Sequence, residues 1–145
     1  MSPAATNKSP EELSRLTKEA VSAISKGDYS VVGQYLSDKI GHSLSRSGKT
    51  VALAGRADAV QFGKDAGPVK IDVHDVFGAA DRVVIRFSAA VPDGALEGAD
   101  KGSSAKVSAI VIVRFEGDKI AEIWHEQDAL GLLLANGYSV NSPGN

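Results

Sequence analysis

The chain has 145 residues, 43% of them hydrophobic and 23% charged, the balance of one soluble globular domain with enough chain for a core and too little for two. A net charge of −2, with no run of Lys or Arg, leaves no electrostatic footprint for nucleic acid. No apolar stretch approaches a membrane span, residues 1–10 lack the apolar core of a secretory signal, and the absence of cysteine removes disulfides, thiolate metal sites and a Cys nucleophile; the expectation is a cytoplasmic protein with no membrane partner.

In chain order, residues 1–9 read as a disordered tail, 10–137 as the domain and 138–145 as a tail that frays. Ser9-Pro10-Glu11-Glu12 is a helix start: Ser as cap, Pro at the first helical position, Glu three after the Ser. Leu13, Leu16, Ala20 and Ile24 then recur on one helical face, and Gly27 ends the helix. Asp28 caps a second, shorter helix that carries Val32, Tyr35 and Leu36 inward. A strand over 39–45 alternates Ile40, His42 and Leu44 with smaller residues, and Gly48 turns it into another over 50–54. Residues 55–62 read as a short helix, stopped around Gly63 to Pro68.

From there the pattern changes to sheet. Val69, Ile71 and Val73 alternate with polar residues, and after a turn at 78–81, Val83, Ile85 and Phe87 alternate with Val84, Arg86 and Ser88. Residues 92–104 form a Gly-rich loop, 105–115 the most apolar strand, and Glu116-Gly117-Asp118-Lys119 a hairpin turn into a strand around Trp124. Residues 130–135 read as a short apolar tail. Helices first and a long antiparallel meander afterwards is an α+β pattern.

The Trp124 strand is the chemically richest stretch. Glu122, Trp124 and Glu126 share one face at period two, with Asp128 continuing the series, while His125 falls on the other face of a regular strand. Carboxylates beside the one Trp of the chain either line a wet pocket or face solvent. The three His form neither an i, i+4 pair nor an H-E-x-x-H motif, so no zinc site is expected. Gly48-Lys49-Thr50 lacks the upstream glycine of a phosphate-binding loop.

Three passages resemble the SnoaL-like polyketide cyclases, a branch of the NTF2-like superfamily. The first runs Phe115-Glu116-Gly117-Asp118-Lys119-Ile120-Ala121-Glu122-Ile123-Trp124, then Asp128 and Leu130-Gly131-Leu132-Leu133. The second is Gly55-Arg56-Ala57-Asp58-Ala59-Val60, and the third Ala80-Asp81-Arg82-Val83-Val84-Ile85-Arg86-Phe87. The loop at 92–104 and His125-Glu126-Gln127 depart from the family pattern. The resemblance implies a cone-shaped, curved antiparallel sheet packed against N-terminal helices, a homodimer through the sheet, an apolar pocket for a hydrophobic small molecule, and no cofactor.

It also places an acid/base carboxylate at Asp128; the alternative there is a cap on the segment at 130–135. Glu126 is the second carboxylate, or a solvated charge. His42, on the first strand, and His125 are the candidate helpers. Trp124, Tyr35, Arg114 and Phe62 are the candidates for substrate binding; the structural alternative is packing for Trp124 and Tyr35 and a salt bridge for Arg114. The reaction implied is cofactor-independent proton transfer on a polyketide- or terpenoid-like ketone or ester, by a cyclase or isomerase. A non-catalytic ligand-binding or dimerisation module, and an epoxide hydrolase that activates water, are the other readings.

Overall fold

The computed structural model describes residues 6–46, 49–90 and 106–144, with side chains throughout except at 42–52. The expectations for residues 1–5, for the turn at Gly48 and for the loop at 92–104 therefore lie outside the described residues.

The first helix forms as its sequence dictates. α1 spans Pro10–Lys26; the Ser9 hydroxyl accepts the Glu12 N–H at 3.2 Å, and Gly27 closes the helix at φ 75°, a left-handed angle that costs glycine nothing. Its buried stripe is Leu13, Thr17, Ala20 and Ala23. Thr17 sits in this core because its hydroxyl donates to the Leu13 carbonyl at 2.8 Å, leaving no polar atom unpaired. α2 (Tyr29–Gln34) starts at Asp28, whose carboxylate accepts the Val31 N–H. α3 (Arg56–Ala66) continues beyond Phe62 and ends, with Gly67 as its cap, inside the stop expected at 63–68. Gly63 lies within the helix, where the Tyr29 ring packs against it, and any Cβ there would overlap that ring.

Six strands follow: β1 (Leu36–Arg46), β2 (Lys49–Ala54), β3 (Ile71–Ala79), β4 (Arg82–Ala90), β5 (Lys106–Glu116) and β6 (Lys119–Gln127). They form one sheet in the order β2-β1-β6-β5-β4-β3. The meander from β3 to β6 is antiparallel, with short turns at 80–81 and 117–118 joining two of its pairs, but β1 pairs with β6 in parallel, so the sheet is mixed. No short turn joins β1 to β6, and only a short turn forces antiparallel pairing. Residues 130–135 are not a simple tail; they belong to a last helix, α4 (Ala129–Ala135).

Each central strand has one face toward the helices. Val83, Ile85 and Phe87 of β4 stand opposite Val113, Val111 and Ala109 of β5, and all six are buried. Phe115 and Leu13 are fully buried at the centre of this core. α1 packs over β3 and β4 and α3 over β1 and β2, so the inward side of β5 and β6 lies between the two helices.

Candidate functional site

The site is decided by the parity of β6. Its register with β5 shifts only between Arg114 and Phe115, so the strand is regular from Glu122 onward. Ile123, His125 and Gln127 then pair with Val113, Val111 and Ala109, the buried inward row, while Glu122, Trp124 and Glu126 pair with Arg114, Ile112 and Ile110 on the opposite side. The Trp124 series is thus the outer face of the sheet, turned away from the helices.

On the inner face, His125 is half-buried, and its ring meets Phe87 edge-on with centroids 6.0 Å apart. Val111 stands beside it on β5, and Leu44 is its backbone partner on β1. The backbone of His42 pairs with Leu53 and with Ile123, which places the two histidines two residues apart in register; the His42 side chain lies outside what is described. Gln127 follows His125 on the same face, half-buried. Sequence reasoning singled out His125 but passed over Gln127, although period-two spacing from His125 was the signal that pairs them.

On the outer face the polar groups are committed to one another. The Arg114 guanidinium donates to Glu122 through Nε at 2.8 Å and to Glu116 through Nη1 at 3.1 Å. Burial works against the charge of Arg114, and the hydrogen bonds to Glu122 and Glu116 outweigh it, holding its pKa above the usual guanidinium value. The Arg82 guanidinium stacks 5.1 Å from the centre of the Trp124 ring. Arg86 donates to Asp75 at 2.6 Å, and His74 shares a 2.8 Å hydrogen bond with Ser88. Trp124 and Arg114, named as substrate-binding candidates, are therefore half-buried parts of an outer-face network.

The two carboxylate candidates are exposed. Glu126 lies on the outer face opposite Ile110. Asp128 is the N-cap of α4, its carboxylate accepting the Gly131 N–H at 2.8 Å. Gly131 makes this cap possible, since a Cβ there would overlap the Asp128 carboxylate. Tyr35 turns its hydroxyl to Glu19 at 3.0 Å, and that hydrogen bond raises its pKa. Phe62 is half-buried on α3. The candidates whose side chains are described do not converge: His125 is on the inner side, with Gln127 and Phe87 beside it, while Glu126, Trp124 and Arg114 are on the outer face, Asp128 caps α4, and Tyr35 and Phe62 are at the helices. Among the described residues no group of three or more His, Asp or Glu is placed to hold a metal ion, and no helix is long and apolar enough to cross a membrane.

N-terminal helices on a six-stranded mixed sheet of this order make an α+β protein of the NTF2-like fold. Residues 14–136 match the SnoaL-like polyketide cyclase family, and the chain belongs to that family. It is similar to the crystal structure of a putative SnoaL-like polyketide cyclase from Jannaschia sp. CCS1, at 15% identity and TM-score 0.71 over 93% of this chain and 99% of that one. AclR, a putative hydroxylase from Streptomyces galilaeus, matches at 25% identity and TM-score 0.69 over 89% of this chain and 98% of that one. An LEH-like epoxide hydrolase from M. tuberculosis matches at 14% identity and TM-score 0.70 over 88% of this chain and 92% of that one. No curated protein sequence matches the chain. Structures similar to this fold thus include cyclases, isomerases, hydroxylases, epoxide hydrolases and proteins of unknown function, and the fold by itself does not select among them.

Proposed function

We propose that the chain is a cofactor-independent enzyme that moves a proton at the carbon next to a carbonyl of an apolar, polyketide- or terpenoid-like ketone or ester, as a cyclase or isomerase does, with His125 as the acid/base group. One observation carries the reading. Among the described inward-facing residues of β4, β5 and β6, His125 is the one with a titratable side chain, and it stands beside Val111 and edge-on to Phe87 on the helix-facing side of the sheet. An imidazole among apolar side chains can take a carbon-bound proton and return it, and such neighbours favour an apolar substrate over bulk water. Glu126 and Asp128 are less suited to this role, since water screens both and Asp128 is engaged by its helix.

The test is deuterium exchange of the α-protons of β-tetralone in D2O, followed by NMR. The native chain accelerates exchange, and His125→Asn loses about 100-fold or more of that acceleration, the usual worth of a positioned acid/base group. Undiminished exchange in that variant overturns the reading.

The outer face favours a second role alongside the first. Phe77 and Ile110 are 56% and 49% exposed there, amid guanidinium and carboxylate groups of both signs. A second copy of the chain, presenting the same mixture, would cover them and give the homodimer that the resemblance implies. Ile110→Asp then shifts sedimentation from dimer to monomer; a native chain that sediments as a monomer removes this role.

A further inference from the structure

We infer that Gln127 contacts the substrate, its carboxamide N–H donating to the carbonyl oxygen of the same molecule whose adjacent carbon His125 deprotonates; this rests on the reading of His125 given above. Three features of the structure lead there. Gln127 lies on the helix-facing side of β6, in the row Phe87–Ala109–Gln127 across three strands. Its partner on β5, Ala109, is small and buried, so the sheet surface directly beside the carboxamide is low. Among the described residues, nothing hydrogen-bonds the Gln127 side chain, whereas the outer-face groups Arg86, Arg114 and His74 all have partners. A half-buried amide with both donors unspent, on a face built largely of apolar side chains, is free to donate to a ligand there.

The spacing suits one small molecule. Two residues along a strand are about 6.6 Å apart, room for a carbonyl group and its neighbouring carbon with a hydrogen-bond-length approach from either side chain. The imidazole of His125 takes a proton from that carbon. The C–H electron pair becomes the new carbon–carbon double bond, and the carbonyl pair moves to the oxygen held by Gln127. The imidazolium then returns the proton to the same or a conjugated carbon, so nothing is consumed.

The experiment compares the native chain with Gln127→Leu, Gln127→Glu and His125→Asn in β-tetralone exchange and in binding of para-nitrophenol, whose coloured anion mimics an enolate. Gln127→Glu keeps the size and strand position of the residue but removes its N–H donors, which separates donation from packing. Both Gln127 variants are expected to lower kcat for exchange by about 100-fold with KM little changed, as removal of one oxyanion donor does. Both are expected to weaken nitrophenolate binding by about tenfold. Normal exchange in both Gln127 variants, with loss in His125→Asn, overturns the inference and leaves the proton-transfer reading standing. Loss in Gln127→Leu alone shows packing rather than donation and overturns it too. Normal exchange in all three variants removes both.

Discussion

Glu122, Trp124 and Glu126 project from one side of β6, and Ile123, His125 and Gln127 from the other. The first set is the more conspicuous in the sequence, yet its charges lie where water screens them and where Arg114 and Arg82 already engage two of its three members. The second set carries fewer polar atoms, placed against Val111, Val113 and Phe87 where each one counts for more. Ionisable groups change reactivity when they are desolvated, not when they are numerous. For the same reason the two faces differ in what they contribute to stability, because core burial outweighs screened ion pairs.

The sharpest way to break this contrast is to truncate an aromatic residue on each face. Phe115→Ala, at a fully buried site, should cost about 3–5 kcal/mol in denaturant unfolding. Phe77→Ala on the outer face should stay within about 0.5 kcal/mol at a dilution where the chain is monomeric. Equal losses would mean that the outer face is not a surface. Arg114→Ala comes next: its side chain is only 19% exposed and serves both Glu116 and Glu122, so about 1–2 kcal/mol should be lost, less at high salt.

Tyr29 gives a pH-dependent contrast of about 1 kcal/mol. Its hydroxyl donates to the Gly67 carbonyl at 2.9 Å, and burial raises its pKa above the ordinary 10.0. Because the folded chain holds this proton more tightly than the unfolded one, the stabilisation is complete below pH 10.0 and is lost as pH climbs through the raised value. Tyr29→Phe should therefore cost about 1 kcal/mol near neutrality and flatten the alkaline fall in unfolding free energy. The smallest effect is expected at Asp128→Asn. Asn caps helices as well as Asp does, so stability should change by less than about 0.5 kcal/mol and β-tetralone exchange should persist. Exchange lost in that variant, with the fold intact, would return the acid/base role to the carboxylate.

Local signals in the sequence were reliable wherever the chain's own chemistry sets the outcome. The Ser9 cap, the Gly27 stop, the Asp28 start and the turn at Gly117 and Asp118 all stand where their residues place them. Asp128 was legible as a cap as well as a candidate acid, and its bond to Gly131 is the cap. Where packing decides, local signals are silent. The end of α3 at Ala66 falls inside the stop read at 63–68, but nothing in the local pattern says that Gly63 leaves room for the Tyr29 ring.

By itself, the sequence determined the α+β class, the helical caps, the alternation of the strands and the family to which the chain belongs. Only the tertiary structure decided which half of each alternation is the inside. Both halves of β5 and β6 hold large apolar residues, Ile112 and Trp124 in one and Val111 and Ile123 in the other, so period two separates the sets without ranking them. The choice was made by α1 and α3, which bury whichever side of the sheet they pack on, and with it His125 and Gln127 came to face the helices while Trp124 and Glu126 were left outside.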